Sequence, residues 1–362
     1  MPQKIPATVI TGFLGAGKTT LIRHLLDNAG GKRIALVINE FGDLGVDGGI
    51  LKGCGIEGCK DEDVVELSNG CICCTVAEDF IPAIEGLLAR DPAPDHIVIE
   101  TSGLALPQPL VRAFGWPSIR TKVTVDGVVA VVDGPALAAG HFAADEAAVA
   151  RQREADDGLD HSTPLAELFE DQLACADMVL VNKADLMDAP EALVDQLGAK
   201  TRDGVQVLAC EKGAVAPAIL LGMGLAAEDN LDVRGEVHHH HHHHDDDHHH
   251  DHDHDHHHHD HGHDAFESFV VDLPELADAK ALTEAVSQII ASHKLLRVKG
   301  FAAIQGKPMR LVLQAVGPRI DTHFDRSFGA DPRQTRLVVI GHSGLDRAAI
   351  TDGLQAALSV PA

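Results

Sequence analysis

One segment restricts the fold of this chain more than any other. Gly12-Phe13-Leu14-Gly15-Ala16-Gly17-Lys18-Thr19 fits G-x-x-x-x-G-K-[ST] and follows the apolar, β-branched run Ile5–Thr11. A helical pattern, Thr19–Ala29, comes directly after it. A glycine-rich turn between a buried strand and a helix lets backbone N–H groups wrap a phosphate, and the helix N-terminus adds its positive end. Gly12, Gly15, Ala16, Gly17, Lys18, Thr19 and Thr20 are the candidate phosphate-binding residues. Lys18 is placed to neutralise charge on the β- and γ-phosphates, and Thr19 to offer a hydroxyl to Mg²⁺.

The rest of the N-terminal part agrees with such a site. Arg33–Asn39, His96–Glu100, Gly127–Val132, Met178–Val181 and Gln206–Leu208 are further short apolar runs, the pattern of strands buried on both faces of a parallel sheet. Helical patterns lie between several of them, for example Asp79–Ala89. This predicts an α/β fold: a doubly wound, mostly parallel sheet P-loop domain over residues 1–225. From His238 to His263 the chain holds only His, Asp and one Gly. A stretch of that composition cannot bury apolar surface, so residues 226–264 are expected to form a disordered linker. Strand patterns return at Phe266–Asp272, Leu295–Gln305, Arg310–Val316 and Arg336–Gly341, with helices over Glu275–Ser292 and Asp346–Leu358. Residues 265–362 therefore read as a small α+β C-terminal domain.

Composition removes several functional classes. The formal net charge is −26 with His neutral. Such a surface repels nucleic-acid backbones and anionic lipid, so neither is an expected partner. No apolar run approaches the roughly 20 residues that span a bilayer. The apolar N-terminal stretch runs into the glycine-rich turn and reads as a first strand, not a signal peptide, so a cytoplasmic location is expected. Seven cysteines are present, and in a reducing compartment an odd, clustered set points to metal or redox chemistry before disulfides.

Two further segments complete a guanine-nucleotide site. Asn182-Lys183-Ala184-Asp185 follows an apolar strand. Asp185 can accept hydrogen bonds from the N1–H and exocyclic amine of guanine, and adenine would leave that carboxylate unpaired. The Lys183 stem can cover one face of the base. Glu100-Thr101-Ser102-Gly103 ends another strand, where an acid commonly holds Mg²⁺ directly or through water, and the Gly103 N–H can approach the γ-phosphate. Asn39-Glu40-Phe41-Gly42-Asp43 is either a switch segment sensing Mg²⁺ or the attacking water, or a solvated loop. Lys18, Thr19, Glu40 and Glu100 form the candidate catalytic set, with Thr19 and Glu100 on magnesium.

Cys71-Ile72-Cys73-Cys74 places three thiols within four residues after the flexible Gly70. Thiolates favour Zn²⁺, Co²⁺ and Cu(I) over Mg²⁺. Neighbouring side chains of an extended chain point apart, so geometry does not name the ligand set. Cys54 and Cys59 belong to either an accessory thiol site or a loop, and Cys175 and Cys210 sit among apolar residues as core thiols. The His/Asp tract is either a weak metal collector or a solvated spacer.

Together GFLGAGKTT, NEFG, GCICC, ETSG and NKAD resemble the metallochaperone GTPase family named after CobW, and FESFVVDLPE with KGFAAIQGKP resembles that family's C-terminal domain. The resemblance spans nearly the whole chain outside the His/Asp tract. It implies that Cys71, Cys73 and Cys74 are the transition-metal ligands. The segments GCGIEGCKDEDVVELSNGCICC and ETSGLALPQPLV are similar to the cobalamin-biosynthesis branch. That similarity implies delivery of Co²⁺ to the enzyme that inserts cobalt into the corrin ring, a cobaltochelatase. Zinc-handling relatives share the main motifs, so Zn²⁺ is the alternative cargo. Some relatives place an acid just before the NEFG glutamate as a ligand, whereas Val37-Ile38-Asn39 here lacks it. The expected activity is GTP-gated metal loading and release, with slow intrinsic GTP hydrolysis because no internal arginine finger is evident. A passive His-rich metal store and a signalling GTPase with structural thiols are the competing readings.

Overall fold

In the computed structural model, residues 4–39, 64–67, 80–155, 164–231, 234, 266–329 and 332–358 are described. The chain divides into two units, Met1–Glu236 and Val237–Ala362.

The first unit alternates strands and helices: β1 (Ile5–Thr11), α1 (Lys18–Asp27), β2 (Ile34–Asn39), β3 (Val64–Leu67), α2 (Ile81–Leu88), β4 (His96–Glu100), α3 (Pro107–Ala113), β5 (Val123–Asp133), α4 (Gly134–Ala138), α5 (Glu146–Ala155), α6 (Leu165–Cys175), β6 (Met178–Asn182), α7 (Pro190–Lys200), β7 (Gln206–Ala209) and α8 (Pro217–Leu220). The sheet order is β3-β2-β4-β1-β5-β6-β7, and every described pairing is parallel. The chain crosses from the β4 side to the β5 side over β1. The carboxyl ends of β1, β4, β5 and β6 therefore flank the switch point where open α/β sheets bind ligands.

The β-branched runs are buried as a two-sided sheet requires. Val9, Val37, Ile97 and Ile99 pack with Phe80, Ile84 and Phe114 in one core cluster. Phe80 and Phe114 meet edge-on with ring centroids 5.4 Å apart. Ala130, Val132, Val179 and Val181 pack against Leu173, Leu193 and Leu197 in another. β5 begins at Val123, earlier than its apolar run suggests, because Val123, Thr124 and Val125 pair with β1 across an irregularity at Ala7/Thr8. β3 was not anticipated: it is a short strand that pairs with β2.

Near the start of β6 lies a buried ion pair. Both terminal guanidinium nitrogens of Arg234 donate to Asp177, each at 2.9 Å, and the Val128 N–H donates to the same carboxylate at 3.0 Å. Arg234 also donates to the Cys175 carbonyl, and Arg202 to those of Ala174 and Ala176. These bonds offset much of the cost of burying the two charges, with Arg234 Nε alone of its guanidinium nitrogens left without a partner among the described residues.

The second unit comprises β8 (Phe266–Leu273), α9 (Ala279–His293), β9 (Arg297–Ala302), β10 (Met309–Val316), β11 (Arg319–Ser327), β12 (Thr335–His342) and α10 (Arg347–Leu358). Its sheet is antiparallel in the order β11-β10-β9-β12-β8. Leu282, Val286, Ile289 and Ile290 of α9 join Val271, Leu313, Leu337 and Leu354 in one core. α9 starts four residues later than its apolar pattern suggests. Asp278 caps it through the Ala281 N–H at 3.1 Å, and Leu276 instead forms a bridge to Ile304. β11 escaped the sequence reading because it is an edge strand carrying Arg319, Asp321, Asp325 and Arg326, the charged dress that protects an edge.

Arg234→Ala should lower the unfolding free energy by about 3 kcal/mol, since removing one partner strands a buried charge. Urea denaturation of the full chain checks this, and a midpoint equal to wild type contradicts it.

Candidate functional site

The glycine-rich turn joins β1 to α1, and backbone geometry explains its composition. Gly12 has φ 136°, and a Cβ there would lie 2.1 Å from the Val131 carbonyl oxygen on β5. Gly17 has φ 102° and stands at the N-cap of α1, where no side chain caps the helix. The first-turn N–H groups are therefore open to an anion. Lys18 is buried, with its Nζ 3.4 Å from the Phe13 carbonyl, so its charge is held over the turn.

Glu100 ends β4 beside Ile10 of β1, and its Oε1 accepts from the Thr19 hydroxyl at 3.2 Å. A hydroxyl and a carboxylate brought together in this way are hard oxygen donors of the kind Mg²⁺ takes. Two buried hydroxyls at the same strand ends, Thr11 Oγ1 and Thr101 Oγ1, have no hydrogen-bond partner in the structure. Buried orphan polar atoms are uncommon and collect where a ligand completes them. The donor set and these orphans fit a bound Mg²⁺–nucleotide.

The N-K-x-D turn is tied to the glycine-rich turn by one side chain. Asn182 Nδ2 donates to the Ala16 carbonyl at 2.9 Å, while its Oδ1 accepts from the Gly213 N–H at 2.9 Å. The thiol of Cys210 lies 3.6 Å from the same oxygen. Burial pushes that thiol's pKa up to about 12, so it stays a neutral donor. Lys183 takes a left-handed conformation, φ 63°, and its ammonium reaches the buried Asp133 carboxylate at 2.5 Å. Asp133 also caps α4 through the Ala136 N–H at 3.2 Å. This lock leaves Asp185 exposed in the 3₁₀ turn Ala184–Leu186, where a base can reach its carboxylate.

The structure thus brings together Gly12, Gly15, Ala16, Gly17, Lys18, Thr19, Thr20, Glu100, Gly103, Asn182, Lys183 and Asp185 at one end of the sheet. Gly103 is pressed against the phosphate turn, with a Cβ there falling 2.8 Å from Leu14 N. Cys175 and Cys210 are buried free thiols, as their apolar neighbours imply. Glu40, Asp43, Cys54, Cys59, Cys71, Cys73, Cys74 and the His/Asp tract lie outside the described residues. Among the described residues no group of three His, Cys, Asp or Glu side chains is placed to hold a metal ion, and no helix is long and apolar enough to cross a membrane.

Sequence reasoning missed Asp133, Gly213 and Gln172. Asp133-Gly134-Pro135 carries a helix-start signature that marks the first of these. Gln172, buried on α6, donates to the Gly103 and Ala105 carbonyls at 3.1 and 3.4 Å, a contact across 69 residues that no local pattern announces.

A phosphate turn, an acid at the end of β4 and an N-K-x-D turn on one parallel sheet define a P-loop protein of the GTPase type. The chain belongs to the CobW family: residues 6–208 match "CobW/HypB/UreG, nucleotide-binding domain" and residues 266–358 match "Cobalamin synthesis protein cobW C-terminal domain". It is 55% identical to the zinc chaperone CobW of Sinorhizobium sp, over 98% of this chain and 97% of that protein. It is 54% identical to the zinc chaperone CobW of Pseudomonas aeruginosa, over 98% of this chain and 92% of that protein. The zinc chaperone YjiA of Escherichia coli is 28% identical, over 93% of this chain and 94% of that protein.

Two substitutions test the site. A Cβ at Gly17 would fall 2.1 Å from Asn182 Nδ2 in a backbone conformation that side chains avoid. Gly17→Ala should therefore weaken fluorescent-GDP binding at least ~10-fold, equivalent to about 1.4 kcal/mol. Asp185→Asn should lose GTP affinity and gain affinity for xanthosine triphosphate, whose C2 carbonyl accepts from the new amide. Unchanged nucleotide preference would remove Asp185 from base recognition.

Proposed function

We propose that this chain is a GTP-dependent metallochaperone whose cargo is Zn²⁺, carried by thiolates of Cys71, Cys73 and Cys74. The observation that carries the reading is the similarity along nearly the whole chain to proteins named zinc chaperones. It outweighs the cobalt expectation, which rested on a resemblance of segments. A recipient zinc enzyme takes the place of the cobaltochelatase.

The nucleotide end of the mechanism follows from the site. Lys18 and the first-turn N–H groups of α1 hold the phosphates. Thr19 and Glu100 would hold Mg²⁺, which when bound neutralises charge developing between the β- and γ-phosphates. Glu100 and Gly103 stand on one turn, so a γ-phosphate engaging Gly103 and an ion engaging Glu100 act on the same few residues. The Cys71–Cys74 motif precedes that turn in the chain and follows the Glu40 segment. Ordering both segments by triphosphate assembles the thiolate site, and hydrolysis loosens it.

Zn²⁺ affinity should be at least ~10-fold higher with Mg²⁺ and a non-hydrolysable GTP analogue than with GDP, a coupling of about 1.4 kcal/mol. Anaerobic competition against a chromophoric chelator measures it, and equal affinities reject gating. The combined Cys71→Ser, Cys73→Ser, Cys74→Ser variant should lose the nucleotide-sensitive site while still binding GDP. Loss of the gene should slow growth under zinc limitation; rescue by cobalamin instead of zinc would return the cargo to cobalt.

A further inference from the structure

The turn after Glu100 is held between two glutamines, and one of them is only half used. Gln172 spends its amide on the Gly103 and Ala105 carbonyls. Gln152, on α5, donates to the Ser102 hydroxyl at 3.3 Å. The other end of its amide, Oε1, is buried and has no hydrogen-bond partner in the structure. Leaving such an atom unmet is costly, so a partner supplied from outside the chain is favoured there.

The position of that oxygen is informative. A Cβ on Gly103 would lie 3.4 Å from Gln152 Oε1 and 2.8 Å from Leu14 N, so the amide and the phosphate turn flank one glycine. Leu14 is exposed, which leaves this edge of the turn open. The residue after Gly103 offers no alternative polar group: Leu104 is buried in an apolar cluster with Phe13, Ala143, Val149 and Leu168. The same cluster fixes α5 in place. Phe13 of the phosphate turn stacks on Phe142 with centroids 5.7 Å apart, and Phe142 meets Phe169 at 5.3 Å. An amide is thus delivered from a separate helix to the γ-phosphate edge of the cradle, on a support anchored to the cradle itself.

We propose that Gln152 orients the attacking water in GTP hydrolysis. The inference rests on reading the cradle as a GTP site. The water oxygen bonds to the γ-phosphorus as the bond from that phosphorus to the β–γ bridging oxygen breaks. The bridging oxygen keeps the electron pair and leaves on GDP. The amide oxygen accepts a hydrogen bond from the water and takes no proton, because an amide is too weak a base. The proton passes to a γ-phosphoryl oxygen, giving dihydrogen phosphate and GDP.

Single-turnover hydrolysis of Mg²⁺–GTP by the full chain tests this. Gln152→Ala and the near-isosteric Gln152→Met should each slow the step by ~10- to 100-fold, the range of a positioned polar group. GDP affinity should stay within about twofold of wild type, a small part of the tenfold that 1.4 kcal/mol represents. Affinity for GDP with aluminium fluoride, which mimics the transferring phosphoryl group, should fall in parallel with the rate. Arg151→Ala, an exposed neighbour on α5, should behave as wild type. A Gln152→Met protein that hydrolyses GTP at the wild-type rate overturns the proposal. So does one whose GDP and aluminium fluoride affinities fall together, since the residue would then only support the fold. A wild-type protein that fails to bind GTP strikes the functional reading instead, and the wild-type arm shows this separately.

Discussion

The Asn182 amide is the joint on which the nucleotide site depends. One end holds the Ala16 carbonyl of the phosphate turn, and the other takes the Gly213 N–H beyond β7. The phosphate turn, the base turn and the segment after β7 are far apart in sequence, and this one side chain sets their spacing. Its fit is close enough that Gly17 tolerates no Cβ. The surroundings suit a buried amide: the neighbouring thiol is neutral, and the adjacent cation, Lys183, is paired with Asp133. A polar group satisfied on both sides in a low-dielectric site costs little and rigidifies what it joins.

At the other end of the cradle the contacts are looser, and the difference has mechanistic meaning. Thr11, Thr101 and Gln152 each keep a buried oxygen without a partner, and all three belong to or touch the strand ends and turn that a γ-phosphate would meet. Asn182 is satisfied without ligand, whereas Thr11, Thr101 and Gln152 are left to be completed by one. On the proposed function, such a division would let diphosphate and triphosphate be held alike at the N-K-x-D turn and differ in what they do to the Glu100–Gly103 turn. On the proposed function, that difference is what the metal site reads.

Much of this was legible in the sequence, and the misses have common causes. The eight-residue phosphate turn, the N-K-x-D turn and the acid ending β4 were readable because their chemistry is local. Apart from β3, the strands of the first unit were readable because burial on both faces leaves uninterrupted apolar runs, such as Ile97–Ile99 of β4. β11 was not, because an edge strand is polar by necessity. The start of α9 was misplaced because the residues just before it were counted into the helix, whereas Leu276 forms a bridge to Ile304 and Asp278 caps the helix that follows. Asp133, Gln152 and Gln172 were missed because their partners lie 50, 50 and 69 residues away. The cobalt expectation came from resembling segments and yields to the names of relatives matched along nearly their whole length.

On the proposed function one domain handles two metals, and donor chemistry is what would keep them apart. Thr19 and Glu100 offer a hydroxyl and a carboxylate, hard donors that suit a small ion keeping several waters and phosphate oxygens. Cysteine thiolates are soft and select against that ion. Zn²⁺ also accepts oxygen ligands, so donor type alone protects the thiolate site better than the oxygen site. The oxygen site would gain its selectivity from the nucleotide, whose phosphate oxygens would complete the hard donor set that Thr19 and Glu100 begin. On the proposed function the two ions are linked through one turn: whatever a triphosphate adds to zinc affinity, zinc must add to triphosphate affinity. On that reading a zinc-loaded chain would also retain GTP best, and the rate of the hydrolytic step would set how long the cargo is held.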